Sequence, residues 1–236
     1  MKNFFILCCL WIACCAISAQ EPCPQVIPAL QQWKGGSGKL ALPAEGNIVV
    51  NPADEAVLLS TAEILADDLS MMMGWNYSVK IGKPGKNDIY MALMKPDKEL
   101  GDEGYKLSVN RYAGIEAPTR KGVFWGTRTL LQMLYKQQGK ISKGTARDFP
   151  LFPNRGFMID AGRKFFTLDY LKQYVKILSF YKMNEFQIHL NDNGFPQFFD
   201  NDWNKTYAAF RLESERFPGL TAKDGSYTCL LYTSDA

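Results

Sequence analysis

Polar side chains follow two apolar, strand-like runs in the second half of the chain. Asp160 and Arg163 come at the end of the first run, and Asp192 follows the second. Because active sites of parallel βα folds form where the carboxyl ends of neighbouring strands meet, we expect these side chains to lie near one another. The spacing favours a catalytic site, although a charged residue at a strand end often only caps a loop.

The elements that must position these residues have the pattern of a strand, a helix and a second strand. Residues 156–161 form a compact apolar run, Thr167 is suited to cap a helix, and residues 185–190 alternate apolar and polar side chains. A strand, a helix and a strand within about thirty-five residues form a βα unit that leads into a parallel strand. We expect this unit to start a (β/α)8 TIM barrel, a fold of about 250 residues of which this sequence contains only the beginning.

The segment before this unit predicts an α+β domain without catalytic features. One amphipathic helix is expected after the N-cap candidate Asn51 and ends at Gly74, and a second runs from about Thr119 to Tyr135. Because each helix is apolar on one side only, we expect both to pack on one face of a sheet. The strand patterns lie at residues 39–42, 47–50, 77–81, 89–93, 105–109 and 115–117.

The chain begins with a segment that is typical of a signal peptide. Lys2 is followed by an uncharged apolar run, and small residues precede an expected cleavage site near Ala19. The run is too short for a permanent transmembrane helix, so no transmembrane segment is predicted. Secretion or export to the periplasm follows, with a lipoprotein anchored through Cys14 or Cys15 as the alternative.

Composition excludes several classes of partner and cofactor. The net charge is +3 with Lys and Arg scattered along the chain, which indicates neither a nucleic acid nor a membrane surface as partner. His189 is the only histidine, which excludes a zinc site built from several histidines. After removal of the leader only Cys23 and Cys229 remain, without a disulfide framework or metal-ligand spacing. We expect no cofactor and no metal, and the oligomeric state stays open.

Several ordered motifs resemble the family 20 β-N-acetylhexosaminidases. At the start of its barrel this family reads R-G-x-x-x-D-x-x-R-H-F, then Y-K-x-N, then H-x-H-L-x-D-D, and later W-R-x-E and Y-P-x-L-T. The similarity covers about residues 48–227. The matching segments of this chain are residues 104–107, 122–132, 155–166, 181–184, 189–192, 210–213 and 217–221.

The resemblance divides the chain into four predicted segments. These are the signal peptide at 1–19, the α/β domain at 20–150, the first part of the barrel at 151–228, and a tail at 229–236. A proline-containing linker at 148–153 separates the two domains. Because the tail follows nothing in the family pattern, we interpret it as an artefact of sequencing or assembly.

The resemblance also implies the reaction. Enzymes of this family remove terminal, non-reducing N-acetylhexosamine (GlcNAc or GalNAc) from oligosaccharides and glycoconjugates by a substrate-assisted retaining mechanism, outside the usual scheme of two carboxylates. The 2-acetamido carbonyl of the sugar attacks the anomeric carbon while a glutamic acid protonates the leaving oxygen, and an aspartate orients the acetamido group. These two acids lie in a motif H-x-G-G-D-E that this sequence does not contain. We therefore expect the chain to be an inactive fragment of such an enzyme.

Two residues take defined roles from the resemblance. Arg163 matches the arginine that binds the hydroxyls at C3 and C4 of the terminal sugar, for which a permanently charged planar fork of N–H donors is suited. Asp192 matches the aspartate that orients a downstream histidine, which in turn supports the catalytic acid. The structural alternatives are an arginine that forms a salt bridge and an aspartate that caps a loop.

Five further residues match family positions with less defined roles. His189 is interpreted either as a histidine of the barrel core or as a functional one. Asp160 and Arg155 are interpreted as structural, although Asp160 stays a site candidate. Arg211 and Glu213 are site candidates for which a structural role is equally open.

Three departures from the family pattern bear on substrate choice. Lys164 stands where the family has His, Asn193 replaces the second Asp of the D-D pair, and Phe210 stands where Trp is common. A member of the lacto-N-biosidase type, which releases a disaccharide, or a member specific for a sulfated sugar is therefore an alternative. A non-catalytic carbohydrate-binding remnant is the second alternative.

Overall fold

A computed structural model describes residues 20–193 and 195–228 of the chain. The predicted signal peptide at 1–19 and the predicted tail at 229–236 lie outside the described residues. Among the residues that are described, no helix is both long and apolar enough to cross a membrane.

The first part of the chain folds into a seven-stranded mixed sheet with two helices. The strand order is β1-β7-β5-β6-β4-β2-β3, with parallel pairing from β3 to β6 and antiparallel pairing from β6 to β1. The strands are β1 (Gln32–Ala41), β2 (Glu45–Val50), β3 (Asn76–Ile81), β4 (Ile89–Leu93), β5 (Tyr105–Val109), β6 (Ala113–Ala117) and β7 (Lys140–Asp148). The helices are α1 (Glu55–Met73) and α2 (Arg120–Lys136).

Both helices pack against the sheet and against each other, so they lie on one face of it. This confirms the α+β fold that the one-sided helices predict. Between the helices, the buried guanidinium of Arg128 lies 2.5 Å from the carboxylate of Asp68. Because each charge in this dry interface has an opposite charge beside it, neither is left uncompensated.

The ends of the helices agree with the sequence pattern in part. Gly74 ends α1 with φ 68°, a left-handed conformation that glycine adopts without steric cost. The Thr119 hydroxyl accepts a hydrogen bond from the Gly122 amide and caps α2. Asn51 does not cap α1 as predicted, because a short 3-10 turn at Pro52–Asp54 intervenes and the Asn51 side chain donates to Asp54 instead.

Strand β7 is the element that sequence patterns missed. Only Ile141 and Ala146 are buried apolar residues within it, so it has too few apolar positions to stand out as a strand. It nevertheless pairs with both β1 and β5 and extends to Asp148, so the predicted linker starts later than residue 148.

The second part of the chain has the topology with which a (β/α)8 barrel starts. Strands β8 (Gly156–Asp160) and β9 (Glu185–His189) pair in parallel, and helix α3 (Leu168–Phe180) connects them. The Thr167 hydroxyl caps α3 by accepting a hydrogen bond from the Tyr170 amide, as its position predicts. Leu171 and Leu178 of α3 are buried, whereas Val175, at helical spacing between them, is 50% exposed.

A buried polar cluster joins the sheet domain to this βα unit. After α3, Lys182 adopts a left-handed conformation (φ 59°), and its ammonium lies 2.8 Å from both the Asp148 carboxylate and the Tyr105 hydroxyl. The Tyr105 hydroxyl also donates to Asp148 at 2.6 Å. Burial lowers the pKa of Lys182, against the opposing effect of Asp148, and burial raises the pKa of Tyr105 well above its ordinary value.

A second set of contacts crosses the same boundary. Arg155 donates to the Glu103 carboxylate at 2.6 Å and to the Lys182 carbonyl at 2.6 Å. Asn184 donates to Glu103 and to the Pro153 carbonyl. The Y-K-x-N motif and Arg155 therefore attach the barrel strands to the sheet domain, which gives Arg155 the structural role expected of it.

Candidate active site

The carboxyl ends of β8 and β9 bring the predicted site residues together. Asp160 and His189 are direct partners in the parallel register, so their side chains emerge at the same level. Beyond the strand end, the amides of Ala161 and Gly162 both donate to the His189 carbonyl, at 2.9 and 2.8 Å. These bonds fix the turn that carries Arg163.

Arg163 lies between two carboxylates and remains accessible. Its Nε lies 3.0 Å from Asp160 Oδ2 and its Nη2 lies 3.2 Å from Asp192 Oδ2, while its own backbone N–H donates to Asp160 Oδ1 at 3.0 Å. The side chain is 57% exposed. The two carboxylates therefore orient the guanidinium without enclosing it, and a ligand can reach its N–H donors.

Asp192 is held in its ionised form by its neighbours. Its pKa is lowered chiefly by the hydrogen bond from the Asn193 amide, at 2.7 Å, with further contributions from Arg163 and His189 that oppose desolvation. His189 Nε2 lies 3.3 Å from Asp192 Oδ2. An anionic Asp192 can orient an imidazole and attract a cation or a hydrogen-bond donor.

Asp160, His189 and Asp192 also have the chemistry of metal ligands. One ligand atom from each lies within 4.8 Å of the others. The Arg163 guanidinium, however, already lies against both carboxylates and supplies the positive charge that they require. The arrangement suits a guanidinium better than a divalent ion.

Two other candidates have local structural contacts. Arg211 is fully buried, pairs with the Asp224 carboxylate, and donates to the carbonyls of Ala161 and Gly225. Glu213 is exposed and accepts a hydrogen bond from the Ser226 hydroxyl. Arg211 therefore supports the turn after β8 through the Ala161 carbonyl. The contact with Ser226 does not bring Glu213 into the cluster around Arg163.

The sequence interpretation missed one residue of the cluster. The ring of Phe195 lies under the guanidinium of Arg163, with 4.5 Å between the ring centroid and Arg163 Cζ. The Asn193 side chain accepts a hydrogen bond from the Phe195 amide at 3.0 Å, so one of the three departures from the family pattern has a local function. Pro196 after Phe195 signals a turn but not the contact that the turn creates.

Comparison with known families assigns both parts of the chain. A profile described as glycosyl hydrolase family 20, domain 2, matches residues 23–149. A profile described as glycosyl hydrolase family 20, catalytic domain, matches residues 152–233, which extends past Thr228 into the segment interpreted as a tail.

Curated relatives are longer proteins. A β-hexosaminidase of Porphyromonas gingivalis is 28% identical over 234 residues, covering 91% of this chain and 28% of that protein. A lacto-N-biosidase of Bifidobacterium bifidum is 30% identical over 164 residues, covering 68% of this chain and 14% of that protein. The chain thus spans less than a third of the length of either relative.

Solved structures share the fold. The N-acetyl-β-hexosaminidase of Streptomyces plicatus, in complex with Thio-NAglucal, superimposes with a TM-score of 0.70 at 26% identity, over 89% of this chain and 42% of that one. The chitobiase of Flavobacterium johnsoniae superimposes with a TM-score of 0.64 at 26% identity, over 86% of this chain and 31% of that one.

Proposed function

Because the chain belongs to glycosyl hydrolase family 20, we propose that the protein is a β-N-acetylhexosaminidase that removes terminal, non-reducing N-acetylhexosamine from glycans. The observation that carries this proposal is the guanidinium of Arg163, oriented by Asp160 and Asp192 yet open to a ligand. Its position at the carboxyl end of β8 is where a (β/α)8 barrel places its substrate.

Arg163 has the chemistry needed to hold a terminal sugar. Its planar fork donates in pairs, so it can bind the adjacent hydroxyls at C3 and C4, and its charge persists at any relevant pH. Asp160 keeps the fork in place through contacts with both the side chain and the backbone of Arg163. Asp192 stays anionic and completes the support from the strand β9 side.

In the proposed mechanism Arg163 binds the sugar, Asp160 and Asp192 orient Arg163, and none of the three transfers the proton. In the substrate-assisted mechanism the protonating acid and its aspartate neighbour belong to the motif H-x-G-G-D-E, which is not among these 236 residues. Asp192 contributes to that chemistry through a histidine that it orients, because an anionic partner stabilises the charged imidazole.

The activity is tested on the full-length protein expressed from its natural coding sequence. We expect release of p-nitrophenol from p-nitrophenyl N-acetyl-β-D-glucosaminide and none from the plain β-D-glucoside, which lacks the acetamido nucleophile. Arg163→Met should lower kcat/KM about 30- to 150-fold, since a charged hydrogen bond to the substrate contributes about 2–3 kcal/mol. Arg120 is exposed on α2, so the matched variant Arg120→Met should have the same kcat/KM as the parent enzyme.

Equal cleavage of the glucoside and the N-acetylglucosaminide would contradict this function, because it would remove the acetamido group from the mechanism. Release of p-nitrophenol by the 236-residue chain alone would contradict the mechanism, because that sequence has no H-x-G-G-D-E motif to supply the acid.

A disaccharide-releasing activity is the second candidate. Similarity to a lacto-N-biosidase over 68% of this chain supports it, as does Asn193 in place of an acidic residue beside Asp192. Comparing p-nitrophenyl lacto-N-bioside with the N-acetylglucosaminide as substrates of the same enzyme separates the two. Preference for the bioside would identify the second activity.

Export of the protein is part of the proposal. The uncharged apolar run after Lys2 and the small residues before Ala19 support cleavage by a signal peptidase and a secreted or periplasmic location. N-terminal sequencing of the exported protein should begin at or near Gln20. A mature N-terminus at Cys14 or Cys15 with an attached lipid would instead identify a lipoprotein.

A further inference from the structure

Phe195 makes an unusual contact with the proposed sugar-binding arginine. The distance of 4.5 Å from its ring centroid to Arg163 Cζ is within the range of a cation–π interaction. With Asp160 and Asp192 already at its nitrogens, the guanidinium is thus restrained both along its edge and on its face. The Arg163 side chain is more than half exposed, yet three neighbouring side chains restrain it.

The backbone of Phe195 is held in a conformation that bulky residues rarely adopt. Its φ of 49° and ψ of 59° lie in the left-handed region, which is unfavourable for an aromatic residue. Pro196 disfavours the right-handed helical alternative at this position. The hydrogen bond from the Phe195 amide to the Asn193 side chain supports the turn, and the Asn193 amide in turn donates to Asp192.

These contacts form a closed ring of interactions around the site. Asp192 binds Asn193, Asn193 holds Phe195, the ring of Phe195 lies against Arg163, and Arg163 returns to Asp192. Strained conformations of this kind persist where the surroundings fix them, and they are concentrated at functional sites. The strain at Phe195 therefore coincides with the residue whose orientation matters most for a ligand.

We propose that Phe195 is a positioning residue that fixes the plane of the Arg163 guanidinium and covers one of its faces. A ligand then meets the guanidinium at its in-plane N–H donors, the geometry that suits two adjacent hydroxyls. That the ligand is a terminal N-acetylhexosamine rests on the proposed function, whereas the orientation of Arg163 by Phe195 does not.

A purely packing role for Phe195 fits the surroundings less well. Its aromatic neighbour Phe198, with 6.0 Å between ring centroids, is 76% exposed, so the pair belongs to the surface and not to a core. Loss of the ring should consequently affect the order of Arg163 more than the stability of the fold. This difference makes the two roles separable by experiment.

The test follows the Nε–H resonance of Arg163 by NMR in the ¹⁵N-labelled chain, assigned through its loss in Arg163→Lys. The ring current of Phe195 should displace this resonance, and Phe195→Leu should return it towards the position of a solvated arginine. Phe195→Tyr keeps the ring and should preserve the displaced resonance. Phe198→Leu is the matched control, because it removes the neighbouring exposed ring without touching Arg163.

The same variants are then titrated with N-acetylglucosamine. We expect Phe195→Leu to weaken binding roughly fivefold, as loss of an exposed cation–π contact implies, with Phe195→Tyr and Phe198→Leu close to the parent. An Arg163 resonance that is unmoved by Phe195→Leu would overturn the proposal whatever the titration gives. A displaced resonance without saturable binding of the sugar by the parent chain would instead contradict the sugar-binding role that the proposed function gives Arg163 and leave the positioning role supported.

Discussion

Asp192 is the residue through which the members of the site are connected. It contacts Arg163 and His189 through one carboxylate oxygen and the Asn193 amide through the other. Each of these partners favours the anionic form, and together they lower its pKa below the ordinary value of 3.8. Asp192 therefore orders the site through its ionised carboxylate, together with the contacts that Asp160 makes to Arg163.

We expect this dependence to appear in the acid range. Since the pKa of Asp192 is lower in the folded chain than in the unfolded one, its contribution to stability is complete above an unfolded pKa of about 3.9 and is lost as pH falls through the folded value. The difference in free energy of unfolding between the parent and Asp192→Asn should shrink as pH falls below about pH 4. Urea unfolding at several pH values measures it.

Asp67→Asn serves as the matched control, because it removes one negative charge from an exposed position on α1. A difference for Asp192→Asn that grows as pH falls below about pH 4 would contradict the assignment, since it would mean that the folded chain prefers the protonated acid.

The sequence was sufficient to locate Arg163 and Asp192 but not the contacts that complete their site. Both follow strand-like runs within ordered motifs, so their positions depend on local patterns alone. The ring of Phe195 reaches Arg163 only through a left-handed backbone conformation, which no propensity predicts. The sequence does not distinguish a site role from a structural role for Arg211, because its burial depends on pairing with Asp224, which becomes a neighbour only after folding.

Lys182 ends α3 at a position where helices often have glycine. Its left-handed conformation directs the ammonium into the boundary between α3 and the sheet domain, where Asp148 and Tyr105 receive it. The unfavourable backbone conformation of Lys182 is thus accompanied by a buried ion pair between the two domains. The other long-range contacts of this boundary, from Arg155 and Asn184 to Glu103, are arranged around it.

Breaking this buried pair should be far more damaging than breaking an exposed one. Lys182→Met leaves the Asp148 carboxylate buried and unpaired, so we expect a loss of about 3 kcal/mol in the free energy of unfolding. Lys205→Met is the matched control, because Lys205 also lies 2.8 Å from an aspartate, Asp200, but at the surface. Its removal should cost less than about 1 kcal/mol.

The double variant Lys182→Met with Asp148→Asn tests the coupling directly. Its loss should be smaller than the sum of the two single losses by about 1–3 kcal/mol, since neither charge then remains alone. Urea unfolding of the four proteins gives the comparison. Strict additivity would show that Lys182 and Asp148 do not act as a pair.

Elements with strong amphipathic patterns could be predicted, and weakly patterned ones could not. Helices α1 and α2 and strands β4 and β5 carry regular apolar spacing and were located from it. Strand β7 has few buried apolar residues and is defined by its hydrogen bonds to β1 and β5, which local sequence does not record.

The two parts of the molecule differ in how completely they bury their apolar side chains. The sheet domain has a continuous core that includes Ile48, Leu65 and Ile115, all fully buried. Around β8, β9 and α3, the buried cluster consists of Ala161, Leu171 and Tyr227, with other apolar side chains only partly covered. The domain that carries the candidate site therefore has the weaker hydrophobic support within this chain.

Native-state hydrogen exchange should reveal this asymmetry. We expect amides in β4 and β6 to exchange only through global unfolding, while amides in β8 and β9 exchange through openings of lower free energy. Equal protection in both sets of strands would contradict it and would mean that the polar boundary around Lys182 makes the two parts one cooperative unit.

The most direct test of the central claim is whether Arg163 binds an N-acetylhexosamine. Titration of the ¹⁵N-labelled chain with N-acetylglucosamine should give saturable shifts in the amides of Gly162 and Asn193, next to Arg163 and Asp192. We expect Arg163→Met to abolish these shifts, because it removes the donors for the sugar hydroxyls, and Arg120→Met to leave them unchanged. Absence of saturable shifts in the parent chain, or their persistence in Arg163→Met, would contradict the account.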